Sequence, residues 1–164
     1  MRAIAVYKAG HWPAGTKEIG RVALDFDHRH RRRLLLKTLA GEEILLDLAE
    51  TARLADGDGL VLVEGGVVRV VAAAETVFDI HAAPETLLRI AWHLGNRHLP
   101  VQMLDAGVRI RADHVIAAMI EGLGGHVHAR EASFDPEPGA YASLSLGHGH
   151  HHGHGDDHGG AHDH

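Results

Sequence analysis

The chain has 164 residues, no cysteine, 17 histidines and a formal net charge of −6, with 22 acidic residues against 16 Lys and Arg. Without cysteine, disulfides, iron–sulfur clusters and thiolate zinc sites are excluded, which leaves imidazole and carboxylate as the metal-ligand types. The acidic balance argues against nucleic-acid binding, and because no signal-like start or run of roughly 20 apolar residues is found, we expect a cytoplasmic protein with no membrane contact.

Residues 1–73 predict a small β-rich domain. Their short or alternating apolar runs are typical of strands and lie at residues 4–7, 21–26, 33–36, 44–46, 60–63 and 67–72. Turn signals separate these runs. Residues 55–59 read Ala-Asp-Gly-Asp-Gly, and Glu64-Gly65-Gly66 lies between two Val-rich runs, as a hairpin connection would.

The only basic run of the sequence lies in this first half, at residues 28–33. A solvated strand face is the favoured interpretation of such a run. The functional alternative is a surface that docks onto an acidic partner protein. Its candidate residues are Arg29, Arg31, Arg32 and Arg33.

Residues 74–133 predict a ferredoxin-like domain. A strand at 78–81 precedes a helix at 84–93, with Pro84 at its start. Strands at 99–104 and 108–111 follow, and Asp113 is the N-cap of a second helix that ends at Gly124-Gly125. Val127 belongs to a last strand. This βαββαβ order is that of a two-layer sandwich with both helices on one face of the sheet, so the fold class is α+β.

After the second domain, residues 134–147 predict a linker and residues 148–164 a disordered tail. The linker contains Asp135-Pro136-Glu137-Pro138-Gly139 and shows no periodicity. The tail has eight His, five Gly, three Asp and one Ala, a composition that cannot form an apolar core. We therefore expect it to be disordered when no metal is bound.

This tail predicts binding of divalent transition metals. Neutral imidazole suits nickel, zinc, copper and cobalt, and the intervening Gly lets the backbone bring several rings to one ion. An expression tag is the alternative, but a tag is more often an uninterrupted His run. The tail alone does not select nickel, because copper binds such nitrogen sites more tightly. The candidate ligands are His148, His150, His151, His152, His154, His158, His162 and His164.

Histidines of the folded part are further candidates. His98 lies in the break between the first helix and the next strand, where a His is usually a surface or capping residue. In a twofold dimer with His98 near the axis, it would instead supply two facing ligands. His114 follows the N-cap and is a second candidate. His126 and His128 share a strand face, which is ligand-like spacing and equally ordinary surface chemistry; their role stays open, as does that of His28 and His30.

The sequence carries no enzyme signature. There is no Gly-x-Ser-x-Gly nucleophile motif and no phosphate-binding Gly-x-x-x-x-Gly-Lys-Ser/Thr loop. We therefore expect a binding protein.

Three motifs, in this order, resemble the family of the urease accessory protein UreE, the nickel metallochaperones of urease maturation. The first is the segment 93–98, His-Leu-Gly-Asn-Arg-His, with Pro100 and Gln102 after it. The second is Asp113-His114-Val115 at the start of a helix that ends in Gly-Leu-Gly at 122–124, and the third is the segment 134–141 before the tail. The resemblance covers essentially the whole chain.

The resemblance implies a partner- or peptide-binding first domain and a metal-binding second domain that forms a homodimer. It implies that His98 of both chains binds Ni(II) as cargo, completed by His148 and His150, while His114 matches a peripheral site. Some members carry a second His two residues before that position, where this chain has Ala112. The implied partners are the urease accessory GTPase and the accessory complex on apo-urease, and Zn(II) and Cu(II) are further ions expected to bind.

Two alternatives to a nickel chaperone remain. One is a store or buffer that sequesters nickel, zinc or copper without delivering it. The other is a protein-interaction module in which the tail only tunes solubility.

The tail composition predicts that metal capacity depends on pH. Protons compete for the imidazole nitrogens near the reference His pKa of about 6.5, so the number of ions bound per chain should fall steeply below about pH 6. Equilibrium dialysis of Ni(II) at pH 7.5 and 5.5 measures this, and an unchanged stoichiometry would contradict it.

Overall fold

The computed structural model describes residues 1–138, and the first 73 of them form a six-stranded sheet. Its strands run in the order β2-β6-β5-β1-β4-β3, with parallel pairing of β1 to β4 and of β2 to β6. The strands are β1 (Arg2–Tyr7), β2 (Glu18–Leu24), β3 (His30–Lys37), β4 (Glu43–Arg53), β5 (Gly59–Leu62) and β6 (Val67–Ala72). Each predicted apolar run of this half overlaps one of them, although the runs 21–26 and 60–63 extend past the ends of β2 and β5.

Strand β4 shows where the apolar pattern and the strand differ. Ile44, Leu46 and Leu48 alternate into the core of the first sheet, and this alternation predicts only the beginning of the strand. The strand continues to Arg53 because its backbone pairs with β3 as far as His30. Ladder hydrogen bonds join backbone groups, so they continue through polar residues that show no apolar periodicity.

The second domain has the predicted element order of strand, helix, strand, strand, helix, strand. Its four strands form an antiparallel sheet in the order β10-β7-β9-β8. The elements are β7 (Ala74–His81), α1 (Pro84–Asn96), β8 (Gln102–Leu104), β9 (Gly107–Arg111), α2 (His114–Gly122) and β10 (His126–Ser133). Strand β8 begins three residues later than predicted, after Pro100, which has no N–H to donate. Strand β10 is longer than the predicted strand around Val127.

Both helices pack on one face of this sheet. Their buried residues, Ile90 and Leu94 on α1 and Ile116 and Ile120 on α2, join alternate residues of β7 and β9 in one apolar cluster. The Asp113 side chain caps α2 as predicted, since it accepts hydrogen bonds from the backbone N–H groups of the next helical turn. Neither helix of the described residues is long and apolar enough to span a bilayer.

Arg29 joins the two domains. Its side chain is 1% exposed, and the two terminal nitrogens of its guanidinium donate hydrogen bonds to the carbonyl oxygens of Leu54 (3.2 Å) and Phe134 and to the Asp135 carboxylate (2.7 Å). Its Nε is buried and has no hydrogen-bond partner among the described residues. The prediction that Arg29 docks an external partner is therefore wrong, because its side chain is buried inside the protein. Arg31, Arg32 and Arg33 are exposed on β3, at the edge of the first sheet.

The segment after β10 packs against the rest of the chain. Phe134 is fully buried, and its ring lies edge-on to the Phe26 ring, with the two ring centroids 5.4 Å apart. Arg53 donates to the carbonyl oxygen of Pro136 at 2.7 Å, and the backbone N–H of Glu137 donates to Val101 at 2.9 Å. The first residues of the predicted linker are thus part of the folded structure, while residues 139–164 lie outside the described part.

We expect Arg29→Ala to destabilise the fold by about 2–4 kcal/mol, because two buried carbonyl oxygens lose their donor and a cavity remains. Arg31→Ala is the matched control, since its side chain is exposed, and it should change stability by less than about 0.5 kcal/mol. Urea unfolding followed by circular dichroism measures both. Equal midpoints for the two variants would contradict the role given to Arg29.

Candidate metal centre

His98 is exposed and lies two residues after the end of α1, in the predicted break before β8. Its backbone N–H donates to Gly95 at 2.9 Å, and that of Leu99 donates to Leu94 at 3.2 Å, so these residues form the C-terminal cap of the helix. The φ angle of His98 is 54°, and no other non-glycine residue of the described chain has a positive φ.

The backbone conformation of His98 is unusual for a residue other than glycine. Glycine normally occupies the left-handed position of a helix cap, because a side chain there costs about 1–2 kcal/mol. Strained backbone of this kind is concentrated at functional sites. A histidine in this position makes His98 a candidate functional residue.

An exposed apolar stripe lies on α1, the helix that precedes His98. Leu88 and Trp92, one helical turn apart, are 72% and 63% exposed, whereas Ile90 and Leu94 on the other side are fully buried. The Trp92 and His93 rings lie edge-on to each other, with their centroids 4.9 Å apart. Large exposed apolar side chains that share one helix face are typical of protein contact surfaces.

His114 is the first residue of α2 and is exposed. Its ring lies edge-on to the buried Phe78 ring, with the two ring centroids 6.1 Å apart. Ala112 supplies no ligand beside it, so a two-histidine site across positions 112 and 114 is not available. His114 remains a single donor.

In the second domain, the sheet face that is not covered by the helices carries a charge cluster. The sequence patterns did not predict it. Arg109 on β9 binds the Asp79 carboxylate of β7 through two hydrogen bonds of 2.6 and 3.0 Å, and Arg130 of β10 adds a third at 3.2 Å. The Arg109 hydrogen bonds lower the pKa of Asp79, against the opposing effect of burial. In return, Asp79 raises the pKa of Arg109.

Within residues 1–138, no three His, Asp or Glu side chains surround one point as metal ligands would. The structure therefore does not bring His98 or His114 into such a group. The eight predicted tail ligands, His148 to His164, lie outside the described residues. Arg33 is 3.9 Å from Asp47, and with Arg31 and Arg32 it remains a candidate for partner docking.

Comparison with known proteins finds a family match for both halves of the chain. The N-terminal domain of UreE urease accessory protein matches residues 4–73, and its C-terminal domain matches residues 75–164. The urease accessory protein UreE of Bradyrhizobium sp. (strain ORS 278) is 51% identical over 150 residues, covering 91% of this chain and 70% of that protein. The one from Rhizobium meliloti (strain 1021) is 45% identical over 140 residues, covering 85% and 90%. The resemblance predicted from the motifs is confirmed.

The Asp79 cluster predicts a specific acid response. Because the folded-state pKa of Asp79 lies below its ordinary value of 3.8, the cluster should contribute fully to stability above about pH 5 and lose this contribution as pH falls through the folded pKa. Asp79→Asn should cost about 2–3 kcal/mol at pH 7. That difference from the parent should shrink below about pH 4.

Unfolding free energies of parent and Asp79→Asn between pH 7 and 2.5 measure this response. The control is Asp105→Asn in the exposed turn between β8 and β9, which should change stability at pH 7 by less than about 0.5 kcal/mol. A difference between parent and Asp79→Asn that does not vary with pH would contradict the assignment.

Proposed function

We propose, because the chain belongs to the UreE family of urease accessory proteins, that it carries Ni(II) and supplies it to the urease maturation machinery. Family membership gives the role in urease maturation. The choice of nickel follows from the family resemblance, and the observation that supports His98 as its ligand is an exposed imidazole in a strained backbone position just after α1. The ion is cargo, so the protein needs a site that binds and releases it.

A single His98 supplies one nitrogen, and we infer that a homodimer supplies the second. The exposed Leu88 and Trp92 on α1, the helix that precedes His98, support a dimer face at this position. A twofold axis passing there would bring the two His98 side chains to opposite sides of one ion. The dimer would then form through the second domain, which we assign to the ferredoxin-like class on its strand order.

His148 and His150 are proposed to complete this site. The last described residues support the assignment, because Glu137 is hydrogen-bonded to Val101, only three residues beyond His98. From Pro138, the ten residues to His148 can span at most about 35 Å. The remaining tail histidines, His151 to His164, would provide capacity, and His114 a weaker peripheral position.

Delivery requires partners. The proposed recipients are the urease accessory GTPase and the accessory complex on apo-urease, in the cytoplasm. Arg31, Arg32 and Arg33 on the exposed edge of the first sheet are the docking residues that remain after Arg29 is removed from the set. Their charge suits an acidic partner surface. Zn(II) and Cu(II) are expected to compete for the same nitrogen ligands.

The nickel site can be tested in the full-length chain. Replacing all eight tail histidines by Ser should remove most Ni(II) capacity but retain a tighter class of site, weakened by loss of His148 and His150. Adding His98→Ala should weaken that class at least about tenfold, or 1.4 kcal/mol. His98→Asn should do the same while keeping a residue that tolerates positive φ. Ni(II) titration calorimetry measures the affinities, with His30→Asn as the exposed-histidine control.

The same variants separate the chaperone from its alternatives. In an apo-urease activation assay, the chaperone should lose activity with His98→Ala and keep part of it without the tail histidines. A store should lose nearly all bound nickel with the tail substitutions. An interaction module should activate urease equally well in every variant. Tight nickel binding retained in His98→Asn would refute the assignment of His98.

A further inference from the structure

Three histidines project from the sheet face that the helices of the second domain leave open. His81 on β7 is paired in register with His126 on β10, and the rings of His81 and His128 lie 5.7 Å apart, tilted by 53°. Cross-strand partners and alternate residues share a sheet face. The pair between the histidines in this ladder is Ile80 with Val127. Both of these residues belong to the helix-covered core on the other face of the sheet. The three imidazoles are therefore neighbours.

The ring of His81 is held in one orientation. Its Nδ1 lies 2.9 Å from the carbonyl oxygen of Ala106 in the turn between β8 and β9. A carbonyl only accepts hydrogen bonds, so Nδ1 carries the proton and the neutral ring presents its lone pair on Nε2. A ring that donates from one nitrogen to a backbone carbonyl and binds metal through the other is the usual arrangement of a metal-bound histidine.

Gly107 brings that carbonyl to the ring. A Cβ atom at this position would overlap the carbonyl oxygen of Ile80 and would lie 3.0 Å from Nδ1 of His81. The turn can approach β7 this closely only because residue 107 has no side chain. The support for the His81 ring is thus part of the fold.

We propose that His81 and His128 form a second metal site, separate from His98, for a divalent ion of the nickel, copper and zinc class. Two imidazole nitrogens are donors that such ions prefer. No three ligand side chains surround one point within residues 1–138, so in the described arrangement two nitrogens come from the protein and the remaining positions are open to water or to a further side chain. His126, exposed opposite His81, is the third donor after a side-chain rotation.

The charges around this pair make it a site of moderate affinity. Asp79 lies on the same face, two residues from His81, but its carboxylate is occupied by Arg109 and Arg130. It is not available as a ligand, and the Arg130 guanidinium, two residues from His128, repels a nearby cation. An ion held here exchanges with solvent and with other ligands.

The test uses the full-length chain carrying the eight tail His→Ser substitutions and His98→Ala, so that its result does not depend on the nickel site proposed above. Zn(II) is added to protein with 15N-labelled histidine, and the ring nitrogens are followed by NMR. We expect the Nε2 resonance of His81 and one ring nitrogen of His128 to shift together and saturably. His11 is the matched control, because its Nδ1 also lies beside a carbonyl (Ala9, 3.0 Å) but its ring has no aromatic ring partner among the described residues.

Single substitutions complete the test. His81→Asn and His128→Asn should each weaken Zn(II) binding at least tenfold and abolish the coupled shift, His126→Asn should weaken it less, and His11→Asn should have no effect. His128 is exposed on an edge strand, so this variant keeps the fold even if His81→Asn does not. Absence of the coupled shift in the parent, or equal affinity in parent and His128→Asn, would overturn the proposal.

Discussion

The buried guanidinium of Arg29 is the interaction on which the arrangement of the described chain depends. It binds a carbonyl at the end of the first sheet, Leu54, and a carbonyl and a carboxylate just after the last strand, Phe134 and Asp135. A fully buried charge is tolerated only when such partners satisfy it. The two domains are therefore joined at both ends of the second one, by the short connection between β6 and β7 and by Arg29.

The second domain uses the two faces of its sheet differently. One face is apolar and covered by α1 and α2, which places His98 and His114 at helix ends. The other is polar, with Asp79 between two arginines and the histidines of β7 and β10 beside them. The same four strands thus support two separate groups of imidazoles. One group lies at the helix ends, on the side of the domain that exposes Leu88 and Trp92, and the other faces solvent.

Local signals were sufficient to predict much of the fold from the sequence. Asp113 specifies a helix start through its own side chain, and Gly65-Gly66 permits a turn that most residues cannot adopt. The inward direction of Arg29 depends on Phe134 and Asp135, more than 100 residues away. The His81–His128 contact depends likewise on the register of β7 against β10. Neither long-range relation is encoded in spacing along the chain.

The hydrogen bond between Glu137 and Val101 has a consequence for how metal is captured. It holds Glu137, near the end of the described residues, against Val101, three residues beyond His98 along the chain. Ligands confined by a short covalent connection act on a nearby site at an effective concentration that reaches the millimolar range, whatever the dilution of the protein. Under the proposal that tail histidines complete a metal site at His98, their encounter with that imidazole is an intramolecular event, whose rate does not depend on how much of the protein the cell contains.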